Sequence, residues 1–287
     1  MKKFLIAAAV VLLSLSWWLF AEPGVADLEL PETADAVARG EYLVAAGGCI
    51  SCHAGSEDPQ ALSGGMALES DFGTFFAPNI TPDLETGIGS WTAREFLLAM
   101  KHGRTPEGSF YFPAFPYTSY AGMTDTDVLA MAAYLMAQPA VASTAPEHEL
   151  PGWLFRWAIA GWNRLAALTN PEPPAPAEAD IARGAYLARH LGHCGECHTP
   201  RNALGIVDLS REFGGGVLPG GKVEAIDAAA LEDWTEDSFA LLLTLGLKPS
   251  GEFVGGKMEP VIEHNTSRLT AEDRKAMAAF FIRGQTP

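Results

Sequence analysis

The four cysteines of the chain fall in two pairs, Cys49 with Cys52 and Cys194 with Cys197, and each pair is followed at once by a histidine, His53 and His198. Two thiols three positions apart with an imidazole on the next residue form a specific chemical arrangement. Both sulfurs can add to the vinyl groups of a haem while the imidazole nitrogen comes beneath the iron. The covalent bonds then hold a large apolar ring in a domain otherwise too small to keep it. Other readings of the thiols fit poorly. A thioredoxin-like pair needs no histidine and belongs in a βαβ surround. A four-cysteine zinc site needs its pairs close together, and these lie 145 residues apart in sequence. No cysteine is left for a long-range disulfide or a thiol nucleophile. The spacing therefore predicts two covalently bound haem c groups, with Cys49, Cys52, Cys194 and Cys197 as attachment points and His53 and His198 on iron.

Methionine is a common second axial ligand to haem iron and raises its potential. Of the eight methionines, Met1 is the start, and Met131 and Met277 hold matching helix positions and read as core. Met100 and Met136 read as packing, and Met66 lies only 13 residues past His53. Met123 and Met258 remain, each between two expected helices. Met258, in Gly255-Gly256-Lys257-Met258, is the expected ligand in the second half. The first half departs from symmetry, because the offset that aligns Gly108 with Gly251 sets Phe115 against Met258. Phe115 cannot coordinate iron. Met123, eight residues later, is the expected ligand if its loop brings it over the ring. His102 is the rival, and an open sixth position is the third option. His148, His190, His193 and His264 read as non-ligands, and Arg201 reads equally as a partner of a haem propionate or a plain surface residue.

These residues sit in a duplicated chain. Arg39-Gly40-x-Tyr42-Leu43 recurs as Arg183-Gly184-x-Tyr186-Leu187. Trp91-Thr92, Phe96, Gly103 and Gly108 recur 143 positions on as Trp234-Thr235, Phe239, Gly246 and Gly251. Asp127 and Met131-Ala132-Ala133 recur 146 positions on as Asp273 and Met277-Ala278-Ala279. Periodicity predicts short helices over 37–46 and 181–191, then over 92–102 and 235–245, each of the latter stopped by a glycine. Thr124 and Thr270 open final apolar helices with capping boxes in which Asp replaces the usual Glu. Neither half shows strand alternation. The long stretch 54–90, poor in helix signals and rich in Gly and Pro, is expected to wrap something.

Lys2 and Lys3 precede an apolar run over 4–20 that ends near Trp17 and Trp18. This is an export signal, either retained as an anchor or cut after Ala26 in Gly24-Val25-Ala26. Residues 150–168, with Trp153, Trp157 and Trp162, are expected to form a helix packed between the halves, with a second membrane contact as the less favoured reading. A Pro-rich spacer follows at 171–176. The composition is that of a folded protein, 48% apolar, with 29 glycines and 20 prolines marking long loops. A net charge of −16 excludes a nucleic-acid binder.

Ala77-Pro78-Asn79-Ile80-Thr81-Pro82-Asp83, Thr86-Gly87-Ile88-Gly89, Phe112-Pro113-Ala114-Phe115-Pro116-Tyr117 and Thr124-Asp125-Thr126-Asp127 resemble the cytochrome c subunits of periplasmic dehydrogenases, best known from the quinoprotein alcohol dehydrogenases. His193-Cys194-Gly195-Glu196-Cys197-His198-Thr199-Pro200-Arg201-Asn202 and Gly255-Gly256-Lys257-Met258 carry the likeness into the second half. Two departures bear on the partner: those alcohol dehydrogenase subunits have three haem motifs, and their first domain has Met at the place of Phe115. The resemblance implies an all-α protein with two tandem cytochrome c domains and long haem-wrapping loops after an N-terminal hydrophobic helix. The expected division is a signal anchor or signal peptide at 1–26, a first domain at 34–140, a linker helix and spacer at 141–179, and a second domain at 180–287. The expected function is electron transfer from a periplasmic dehydrogenase to a cytochrome or terminal oxidase, on the periplasmic side of the bacterial inner membrane. The alternative is a dihaem peroxidase with an open site at the first haem.

Overall fold

The computed structural model describes residues 1–55, 58 and 61–285; residues 56, 57, 59 and 60 of the expected wrapping loop, and 286 and 287 of the expected second domain, lie outside that description. Alanine and leucine are strong helix formers, and the N-terminal run of them is a single helix, α1 (Lys2–Phe20), with mean hydropathy 2.0 and no buried residue. At 1.5 Å per residue its 19 residues reach about 28 Å.

In the first half, Thr33 accepts from the Ala36 amide and starts α2 (Ala34–Ala46). The cysteine motif forms the single turn α3 (Ile50–His53). A hairpin of β1 (Ala67–Ser70) and β2 (Gly73–Phe76) follows, paired Ala67 to Phe76 through Ser70 to Gly73. A full capping box between Thr92 and Glu95 opens α4 (Ala93–His102), and Gly103 at φ 60° closes it. The short α5 (Tyr117–Tyr120) leads into α6 (Asp125–Met136). The linker contributes α7 (Ala158–Thr169).

The second half repeats the plan. It runs α8 (Ala179–Tyr186), prolonged by a π-helical turn at Leu187–Leu191, then the motif turn α9 (Gly195–His198). A hairpin of β3 (Gly216–Leu218) and β4 (Gly221–Val223) precedes α10 (Glu236–Leu245), which Gly246 ends at φ 71°. The last helices are α11 (Met258–His264) and α12 (Ala271–Ala279), the latter prolonged by a π-helical turn at Phe280–Gly284.

The helices expected from periodicity are present within a few residues of their expected bounds. The two hairpins were not expected, because strands of three or four residues are too short to show alternation. The 150–168 helix is shorter than expected: Pro151 and Gly152 hold the tryptophan-bearing stretch irregular, and the helix begins only at Ala158.

The repeated Arg-Gly-x-Tyr motif explains how each half closes. α2 crosses α6 at Gly40, and α8 crosses α12 at Gly184. A Cβ on Gly40 would lie 1.9 Å from the Ala130 carbonyl oxygen, and one on Gly184 would lie 2.0 Å from that of Ala276. Backbone leaves no room to yield, so Gly40→Ala and Gly184→Ala are each expected to destabilise the haem-loaded protein by about 1–3 kcal/mol, through forced separation of the crossing helices. Denaturant midpoints followed by far-UV circular dichroism check this.

The expected Asp capping boxes are only half made. Thr124 accepts from the Asp127 amide and Thr270 from the Asp273 amide, but the two carboxylates do not turn back to their caps. Arg39 donates to Asp127 at 3.1 and 3.2 Å, and Arg183 to Asp273 at 2.8 and 2.7 Å. The tyrosines of the motif cross between halves. Tyr186 donates its hydroxyl to Asp127 at 2.7 Å, and Tyr42 donates to Asp273 at 2.5 Å. Each carboxylate thus joins its own half to the other in a reciprocal clasp. Beneath it one apolar cluster runs through both halves, from Leu43, Leu97 and Val128 to Leu187, Leu191 and Phe280.

Candidate functional site

The second cysteine motif opens onto a cavity of about 340 Å³. Cys194, Cys197 and His198 line it, and so does Met258 from the start of α11. The rest of the wall is mostly apolar, including Leu191, Trp234, Leu243, Met277 and Phe281. His198 places Nδ1 2.8 Å from the Glu224 carbonyl oxygen, and in the first half His53 places Nδ1 2.8 Å from that of Pro78. A carbonyl only accepts, so Nδ1 carries the proton in both rings and Nε2 keeps its lone pair. Burial pushes both imidazoles below the usual histidine range, which keeps them neutral. Burial likewise pushes the Cys49 and Cys194 thiols up to about 12, with the neighbouring Cys52 and Cys197 adding to it. These are neutral thiols in apolar surroundings, unlike the electropositive setting of a reactive thiolate. Two such thiols, a neutral imidazole with a free Nε2 and a thioether sulfur on the walls of one apolar cavity fit a haem.

The first half holds its candidates differently. Met123 is 2% exposed and belongs to the main core cluster together with Tyr120 and Met100. The segment carrying it is not a free loop. Ser119 donates to Glu196 at 2.8 Å, the His190 ring bonds the Ser119 carbonyl at 3.0 Å, and Gly122 lies against the same ring. Phe115 is half-buried among the rings of Tyr111, Tyr117 and Tyr120 at centroid distances of 5.7, 6.2 and 5.8 Å. His102 ends α4 beside Lys101, Asp125 and Arg104, and burial holds it below the usual histidine range. Met131 and Met277 are core, as their matching positions implied. Arg201 is committed to Glu196 and to the Gly205 carbonyl.

The sequence model of the cytochrome c family matches residues 37–139. A dihaem c-type cytochrome of Cereibacter sphaeroides is 44% identical over 85% of this chain and 84% of its own length. The chain belongs to the c-type cytochromes. Its haem is therefore covalently bound, and its chemistry is electron transfer, not substrate turnover. This cytochrome is also 38% identical to a nicotinate dehydrogenase subunit of Pseudomonas putida over 84% of the chain, and 35% identical to the gluconate 2-dehydrogenase cytochrome c subunit of Pantoea cypripedii over 85% of it. It spans 21% and 58% of the lengths of those two relatives.

The junction between the two cysteine motifs was not foreseen from sequence. In this cytochrome Cys197 lies near enough to Cys52 to add to the effect of burial on the Cys52 thiol. His193, at the place of Gly48 in the repeat, takes the left-handed φ of 39° where Gly48 has 67°. Its ring stands edge-on to Tyr120, centroids 5.6 Å apart, and burial keeps it neutral. A Cβ on Gly48 would strike the Asn265 side chain, 1.9 Å away. Each half thus presents its motif directly to the other. The one signal available in sequence was the pair Gly47-Gly48 against Gly192-His193, where one turn keeps its geometry with and without a side chain.

Proposed function

We propose that this cytochrome carries two haem c groups in two tandem domains, 34–140 and 180–287, and passes electrons from a periplasmic dehydrogenase to a cytochrome or terminal oxidase. The observation that carries the reading is the shared cavity of Cys194, Cys197, His198 and Met258, together with the matched Nδ1 bonds of His53 and His198. Cys49 and Cys52 would hold the first haem and Cys194 and Cys197 the second. His53 with Met123 would hold the first iron, and His198 with Met258 the second. Bound there, the group supplies a one-electron Fe(II)/Fe(III) couple. The chain's own part is to fix each imidazole through its Nδ1 proton, to keep water from the ring with an apolar shell, and to set the potential by ligand and burial. A dehydrogenase donor is supported by relatives named as a nicotinate dehydrogenase subunit and a gluconate 2-dehydrogenase cytochrome subunit.

We also read α1 as a retained anchor. Buried Arg104 donates to the carbonyls of Phe20 at 2.8 Å and Ala21 at 3.2 Å. Arg94 pairs with Glu22, and Val25 and Leu30 pack on the main cluster. A cut after Ala26 would discard most of these contacts.

Intact mass of the protein matured with a working haem-attachment system tests the count. The expected mass is that of the chain plus two haems, and a single addition or none would overturn the reading. Replacing Met123 by alanine is expected to remove the red Met–Fe(III) charge-transfer absorption of the first haem alone; its survival would exclude Met123 as the ligand.

A further inference from the structure

The chain has 35 acidic residues, yet none falls between 150 and 171, where Arg156 and Arg164 are the charged residues. The same segment exposes large apolar side chains. Trp153 and Trp157 are each 64% exposed, Phe155 is 48% exposed and Leu168 72%. The Phe155 and Trp157 rings stack 5.8 Å apart at 9°, so the two move as one apolar block. The segment is rigidly mounted, because Ile159 and Ala160 are buried against Phe75, Phe110 and Phe112, and Arg156 donates to the Phe110 carbonyl at 2.9 Å.

Its place relative to α1 identifies what covers it. α7 packs on α1, and Arg164 donates to the Trp18 carbonyl at 2.7 Å while lying over the Trp18 ring at 5.2 Å. Trp17 and Trp18 close the apolar run, the position at which a spanning helix leaves the hydrocarbon and tryptophans collect. The exposed rings and the two arginines are therefore held beside the bilayer level at which α1 emerges. Indole rings, and arginines that form no ion pair among the described residues, suit the boundary between headgroups and acyl chains.

We propose that residues 153–168 form a second membrane contact, lying on the leaflet from which α1 emerges and fixing the orientation of the cytochrome against it. This rests on the reading of α1 as an anchor, and the test separates the two. The full-length, haem-loaded protein is reconstituted in phosphatidylcholine vesicles containing a diazirine-bearing phospholipid, irradiated, and its lipid adducts mapped by mass spectrometry. Adducts are expected on 4–20 and on 150–168. In the variant Trp153→Ser, Phe155→Ser, Trp157→Ser, those on 150–168 are expected to disappear while those on 4–20, the haem content and both potentials stay unchanged. Labelling of 4–20 without 150–168 overturns the proposal, leaves the anchor standing and assigns the face to a protein. Labelling of neither removes both. If the mature chain lacks 1–26, labelling of 150–168 sustains the contact alone, and its absence ends it.

Discussion

Replacing Met258 by alanine is expected to lower the potential of one haem and leave the other where it was. The drop should be on the order of 0.1–0.2 V, a fraction of the ~0.8 V that axial ligation commands. The argument starts from position. Met258 begins α11 and lines the cavity that holds Cys194, Cys197 and His198. A thioether favours Fe(II), so its loss to water or to no ligand favours Fe(III) and the potential falls. The fold should survive, because Met258 is only half-buried and α11 has its buried residue at Ile262. Redox titration of the variant, resolved into two one-electron waves, makes the measurement. An unmoved pair of potentials would remove Met258 from the iron. A fall in both would mean that the two centres are coupled more strongly than two separate sites allow.

The contrast between Met258 and Met123 shows how far the sequence could be read. The cysteine motifs were legible because their chemistry is local: thiols at a fixed spacing and the next residue suffice, and His53 and His198 each find their carbonyl partner 25 or 26 residues on within their own half. Helices were legible because Thr92, Thr235, Gly103 and Gly246 cap them by contacts a few residues long. Most of what failed depends on partners far along the chain. The capping-box reading of Asp127 and Asp273 was right about the threonines and wrong about the carboxylates, since Arg39 and Tyr186, 88 and 59 residues away, compete for Asp127 and win. The segment of Met123 looked free for the same reason: the groups that hold it, Glu196 and His190, belong to the second repeat. The tryptophans at 153 and 157 looked like core because an aromatic stripe usually is, and Pro151 with Gly152 delayed the helix that would have buried them.

Those cross-repeat carboxylates carry the second large effect. Asp273→Ala is expected to destabilise the protein by roughly 3 kcal/mol, at the lower end of the range for breaking a buried ion pair, because Arg183 is left without its partner in a half-buried setting. Asp127→Ala should fall short of that. Its arginine bonds are longer, 3.1 and 3.2 Å against 2.8 and 2.7 Å, and the Arg39 side chain is 39% exposed where that of Arg183 is 29%. Tyr42→Phe removes the two bonds its hydroxyl makes across the halves, the one it donates to Asp273 and the one it accepts from the Thr270 amide at 3.3 Å, and should cost about 1 kcal/mol. Combined with Asp273→Ala it should add less than its own cost, since the two share one carboxylate and only the Thr270 amide bond is lost independently. The pH dependence has a definite sign. Burial alone would raise Asp273, but hydrogen bonds from Arg183 and Tyr42 hold it below the usual carboxylate range. A carboxylate depressed in the folded state stabilises fully above its unfolded value, ~3.9, and that stability is lost as pH falls through the folded value below it. Denaturant midpoints of the natural protein should therefore decline more steeply below pH ~4 than those of Asp273→Asn, which has no proton to take up there. A parallel decline in both would place the acid-sensitive group elsewhere and leave the clasp a neutral hydrogen-bond junction. Because the same carboxylate joins Arg183 of its own half to Tyr42 of the other, loosening it should also let the two cysteine motifs move apart. Interhaem electron transfer, followed after photoreduction of one centre, is expected to slow in Asp273→Ala while the two equilibrium potentials hold.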